Sequence, residues 1–227
     1  MNFLELYESE PEFQQEIINK FNIDLSALNF LGAGMNGRVW GIDNKSVLKV
    51  TTSPTEEKTV LNLIDKELTV ELGYTTILPN DYLIFDPTYF VYRREFDPAY
   101  FVYRRENLVP FKNVSIEEKK EAEIIWNIRS IDFAAKNMYS AFVGKKAKSE
   151  WAAEAFLKEM SRRGLFQDSL YAALILFIYE AAIQRIFLWD IYPQNLGFRF
   201  NEQNEPAMDA GLVFFDPMAR IYLEELI

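Results

Sequence analysis

The spacing of apolar residues changes period several times along the chain, and each change marks an element. Residues 11 to 21 (PEFQQEIINKF) put Phe13, Ile17, Ile18 and Phe21 on one side of a short helix. From Leu28 the apolar residues come in strand-like runs: Phe30-Leu31, Val39-Trp40, then Val47-Leu48-Lys49-Val50. The first gap holds Gly32-Ala33-Gly34-Met35-Asn36-Gly37, the second Asp43-Asn44-Lys45. β-Branched and aromatic residues around a hairpin-type turn predict strand, glycine loop, strand, turn, strand. Ser53-Pro54-Thr55-Glu56 then opens a helix. Ser is the N-cap, proline fills the first helical position, Glu56 completes a capping box, and Gly73 supplies the stop. Its apolar stripe runs through Val60, Leu61, Ile64 and Leu68.

Asp81 to Phe85 reads as a further strand. Phe85 to Glu95 (FDPTYFVYRRE) is then repeated at once from Phe96 to Glu106, with Ala99 in the place of Thr88. One tandem unit is too few for a solenoid. Each copy is an Asp-Pro turn followed by an alternating segment, which predicts one added strand or a bulge. From Ser115 the period becomes helical through Trp126, Ile128, Phe133 and Met138 to Gly144. A second helix spans about Ser149 to Arg163 and stops at Gly164. A third, Asp168 to about Arg185, is apolar nearly all round, as expected of a buried central helix. Short apolar stretches follow at 186–189, 196–198 and 212–215, with a polar turn over 201–209.

Composition narrows the chemistry. Of 227 residues, 49% are hydrophobic and 15% aromatic, enough for one packed unit or two lobes sharing a cleft. A formal charge of −10 disfavours nucleic acid or an anionic membrane as the main partner. No cysteine removes disulfides and thiolate chemistry; no histidine removes a Ser-His-Asp triad and His-ligated zinc. Acid–base work therefore falls to carboxylates, Lys or Tyr. The start of the chain lacks a secretory pattern, and the apolar run Leu170 to Ile178 is too short to span a bilayer, so a cytoplasmic protein is expected.

Three glycines spaced as Gly32, Gly34 and Gly37 let backbone N–H groups approach an anion, because no Cβ intervenes. A dinucleotide fingerprint needs a helix after the glycines, whereas here another strand follows. Asp190 and Asn195 are spaced D-x-x-x-x-N, and Asp216 ends an apolar strand where a buried carboxylate needs a cation or donors. Glycine hairpin, strand lysine, helix glutamate, D-x-x-x-x-N and strand-end Asp occur in that order. The chain thereby resembles the protein-kinase-like superfamily, and its Asp-Pro at 216–217 and small size are similar to compact bacteriophage-encoded kinases.

The resemblance implies an α+β, two-lobed fold: a small antiparallel β lobe over 1–106 and a mainly helical, truncated lobe over 107–227. It implies that Gly32, Gly34 and Gly37 cover the phosphates of ATP and that Lys49 contacts them. Asp190 would serve the attacking hydroxyl, Asn195 and Asp216 would hold Mg2+, and the hinge around Glu106 and Leu108 would border the nucleotide. Glu56 and Glu57 compete to orient Lys49; the stripe through Leu61 favours Glu57. Leu188, Trp189 and Tyr192 depart from the family pattern, Tyr192 standing where a loop lysine is common. The function implied is a Ser/Thr protein kinase. A small-molecule kinase of the aminoglycoside or choline type and a nucleotide-binding pseudokinase are the alternatives.

Overall fold

A computed structural model describes residues 11–24, 27–33, 37–66, 77–85, 100–145, 148–214 and 218–221. The chain forms an α+β protein of two compact units. The first holds helix α1 (Pro11–Phe21), strands β1 (Asn29–Ala33), β2 (Gly37–Gly41), β3 (Ser46–Thr51), β4 (Ile77–Phe85) and β5 (Tyr100–Glu106), and the first turn of α2 (Pro54–Asp65). The second holds the rest of α2 and everything from Leu108 onward.

In the first unit five strands make one antiparallel sheet in the order β1-β2-β3-β5-β4. Asp43 Oδ1 accepts from the N–H groups of Lys45 and Ser46, so the predicted Asp-Asn-Lys turn closes β2 onto β3. β3 is the central strand and is buried from Val47 to Thr51. One face of the sheet packs Trp40, Leu48, Val50 and Val102 against Ile17 and Phe21 of α1, which accounts for the apolar side of that helix. The tandem repeat is resolved by register. β4 ends on Phe85, the first residue of copy one, and β5 is Tyr100–Glu106 of copy two, paired with both β3 and β4. The rest of copy one and the start of copy two lie outside the described residues.

The second unit is built on helices α3 (Glu118–Lys145), α4 (Ser149–Arg162) and α5 (Ser169–Ile183). Asp168 caps α5 by accepting from Leu170 N–H, and Gly164 takes the left-handed φ of 75° that ends α4. Along α3 the residues Ile124, Ile128, Ile131, Ala135 and Met138 are buried, while Trp126 and Phe133 face outward. α5 is buried on most sides, and its Ile175, Phe177 and Ile178 join Phe187, Phe198 and Phe214 in the main core. Leu63 of α2 belongs to this core too, and Thr59 Oγ1 accepts from Ala219 N–H. Short strands finish the unit: β6 (Val109–Pro110), β8 (Leu196–Phe198) and β9 (Val213–Phe214) form one sheet, β7 (Ile186–Trp189) and β10 (Met218–Ile221) another. Among the described residues no helix is long and apolar enough to cross a membrane.

Candidate functional site

The first cluster is set by strand pairing. In β3, Lys49 lies opposite Val39 of β2 and Tyr103 of β5. Its ammonium is 2.6 Å from Glu56 Oε1, and both side chains are almost wholly buried. Tyr103 OH donates to the same oxygen at 2.6 Å, and Thr51 Oγ1 donates to Oε2 at 2.9 Å. Removing two charges from water costs several kcal/mol per ion, and only good geometry with further donors offsets it. Here both carboxylate oxygens of Glu56 have partners, Oε1 in Lys49 and Tyr103 and Oε2 in Thr51.

The partner of Lys49 is therefore Glu56 and not Glu57, a correction with a simple helical cause. The buried stripe of α2 runs Glu56, Val60, Leu63, at i, i+4 and i+7, one position earlier than the stripe through Leu61 and Ile64. Glu57 is half-buried at the edge, where desolvation raises its carboxyl above the ordinary value. The capping box forms only by half. Ser53 Oγ accepts from Glu56 N–H, but Ser53 N–H donates to Thr51 Oγ1, because the Glu56 side chain is committed to Lys49.

Among the glycines, Gly32 lies opposite Val39 and Gly37 opposite Thr51, at the ends of the hairpin strands; Gly34 lies outside the described residues. A Cβ on Gly37 would stand 3.0 Å from the Val50 carbonyl oxygen and 3.2 Å from Lys49 Cε. The missing side chain thus makes room for the lysine. Glu106 closes β5 opposite Ser46, Asn107 N–H donates to Lys45 O, and Leu108 is buried at the start of the second unit.

The second cluster is a loop. β7 delivers the chain to Asp190, whose φ of 65° is left-handed, a conformation costing a side-chain-bearing residue about 1 kcal/mol. A turn from Pro193 to Asn195 follows, and the Asn195 amide nitrogen donates to Asp190 O at 2.8 Å and to Asp190 Oδ2 at 3.0 Å. Both bonds use the nitrogen, so the flip of the amide is fixed and Oδ1 is the atom left to accept. An amide oxygen beside a carboxylate is a donor set suited to a hard cation such as Mg2+. Asp216, the other metal ligand implied by the resemblance, lies outside the described residues.

Two residues unanticipated in the sequence adjoin this loop. Asp132 of α3 is 6% exposed and accepts from Ile191 N–H at 3.3 Å through Oδ1. Its Oδ2 pairs with Lys136, one turn further on, and Lys136 Nζ also donates to Tyr192 OH at 3.2 Å. The Asp132 hydrogen bond is the main cause that holds the Lys136 ammonium above its ordinary value. A carboxylate at 132, in step with the buried Ile128 and Ala135 of an amphipathic helix, was the available signal.

No protein-family model matches the chain, and no curated protein matches it. Solved structures of similar shape include the GDP and kanamycin complex of APH(2″)-IIIa, at 11% identity and a TM-score of 0.35 over 91% of this chain and 73% of that one. The streptomycin–ATP ternary complex of APH(2″)-IIa is another, at 15% identity and a TM-score of 0.36 over 93% of this chain and 72% of that one. Likenesses at TM-scores below 0.5 decide nothing about activity, which has to be inferred from the chain's own residues.

Proposed function

We propose that the protein is an ATP- and magnesium-dependent phosphotransferase that moves a γ-phosphoryl group to a hydroxyl, with Ser or Thr of proteins, its own included, as the first choice of acceptor. The observation that carries the reading is the buried Lys49–Glu56 pair. A charged pair in a strand core contributes little net stability, so its presence calls for another reason, and neutralising a phosphate is one. In this reading Lys49 contacts the α- and β-phosphates and Glu56 orients it. Gly32, Gly34 and Gly37 cover the phosphates, and Glu106 and Leu108 border the base. Asp190 takes or orients the proton of the attacking hydroxyl. Asn195 through Oδ1, with Asp216, would hold Mg2+, whose charge offsets that of the phosphates. Phosphoryl transfer asks for positioning and charge neutralisation above all, and these residue types supply both.

A small-molecule hydroxyl as acceptor is the second reading. It is favoured by one observation: the long α3 reaches the catalytic loop through Asp132 and Lys136, so the helical segment after Ser115 borders the reacting Asp190. Incubation with γ-labelled ATP and magnesium, alone, with cell lysate, and with polyhydroxylated amines decides. Labelled protein is the expected result, a labelled small molecule selects the second acceptor, and nucleotide binding with no transfer to any acceptor overturns the enzyme reading in favour of a binding module.

A further inference from the structure

Asp190 is held in a left-handed backbone that is uncommon for any residue but glycine, though less so for aspartate than for most, and its surroundings hold it there from both sides. On its C-terminal side the two residues that come next are both gripped by one helix. The main chain of Ile191 donates to the buried Asp132, and the hydroxyl of Tyr192 accepts from Lys136, whose ammonium also stands 5.2 Å from the Tyr192 ring centre. Asn195 holds Asp190 from the other side, at its carbonyl and at its carboxylate. A surface ion pair would have no reason to bury its carboxylate at 6% exposure and aim one oxygen at a loop amide.

We propose that Asp132 and Lys136 are positioning residues for Asp190: Asp132 fixes the peptide that leaves it, and Lys136 pairs with Asp132 and pins Tyr192. Neither residue touches the reacting atoms. The inference rests on the phosphotransferase reading for its kinetic consequence but not for its structural one. Removing Asp132 frees the Ile191 peptide, lets Asp190 relax from φ near 65°, and loosens its hydrogen bonds with the Asn195 amide.

The test compares Asp132→Leu, which fills the space without accepting, with Asp132→Asn, which keeps an acceptor oxygen for Ile191 N–H. Side-chain amide resonances of Asn195 are recorded by 15N NMR, and transfer kinetics are measured beside them. Asp132→Leu is expected to shift the Asn195 amide pair and to lower kcat about 100-fold with KM changed by less than about 3-fold, the penalty of an ångström-scale misplacement. Asp132→Asn is expected to restore the resonance and most of kcat. A folded Asp132→Leu protein with the Asn195 signals unmoved overturns the proposal, as does a leucine variant whose kcat matches wild type. Should Asp132→Leu fail to fold, Lys136→Met, which leaves the buried stripe intact, replaces it; it is expected to move the same resonances with about a 10-fold loss of kcat, and unmoved resonances overturn the proposal. If wild type transfers no phosphate at all, the phosphotransferase reading falls, and the NMR comparison alone decides the positioning role.

Discussion

The lysine cluster of the sheet unit and the aspartate loop of the helical unit solve the same problem, holding charge in a fixed place, by opposite means. Around Lys49 everything is regular: strand register sets Lys49 opposite Tyr103, helical period brings Glu56 inward, and each bond is made in unstrained backbone. Around Asp190 the backbone is left-handed, the hydrogen bonds come from a turn, and the support arrives from a distant helix. Charge placed by regular structure is tied to the stability of the sheet. Charge placed on a loop is held instead at the cost of local strain and by the loop's own hydrogen bonds.

That contrast breaks most visibly at Glu56. Glu56→Ala leaves a buried ammonium facing a tyrosine hydroxyl, and removing one partner of a buried pair costs about 3–5 kcal/mol, so the denaturation midpoint should fall steeply. A loss below about 1 kcal/mol by denaturant titration would show that the pair is not desolvated in solution. At Asp190 the expectation reverses. Asp190→Gly relieves the positive φ while forfeiting one hydrogen bond from Asn195, effects of about 1 kcal/mol each and opposite sign. Stability should hardly move while transfer is abolished, as thermal unfolding and labelled-ATP turnover on the same sample would reveal. A large drop in stability would place the loop in the same category as the sheet cluster.

The smallest effect belongs to Glu57, which sharpens the contrast with its neighbour. Desolvation raises its carboxyl, so the folded chain keeps that proton to higher pH than the unfolded chain. Its contribution is therefore most favourable below the ordinary glutamate range and is lost as pH rises through the raised folded value. Glu57→Gln should flatten that slope and leave the protein marginally more stable at neutral pH. A wild-type slope of the opposite sign across the glutamate range in the difference curve would contradict the assignment.

How much of this was legible in the residues follows the same division. Regular elements announce themselves: the Asp43 turn, the Ser53 cap, the stop at Gly164 and the buried α5 all follow from local rules. The partner of Lys49 was legible only to within one residue. An apolar stripe read from Leu61 and Ile64 points to Glu57, whereas packing chose the stripe through Val60 and Leu63. For Asp132 the helical period offered only a carboxylate on the apolar side of α3; its role, and that of Lys136, was not legible, because an Asp–Lys pair at i, i+4 reads as an exposed helix pair until Ile191, far along the chain, is brought beside it. Strand placement within the repeat had the same difficulty: two nearly identical segments carry equal local preference, and the pairing of Tyr100–Glu106 with β3 and β4 is a long-range fact that no local rule supplies.

Gly37 carries a consequence for how the hairpin is probed. A methyl group there meets the Lys49 side chain and the Val50 carbonyl before it meets any ligand. An alanine exchange at that position thus acts first on the rotamer of the lysine, and through it on Glu56 and Tyr103. The bare backbone of Gly37 is in effect the doorway through which the Lys49 side chain reaches the interior.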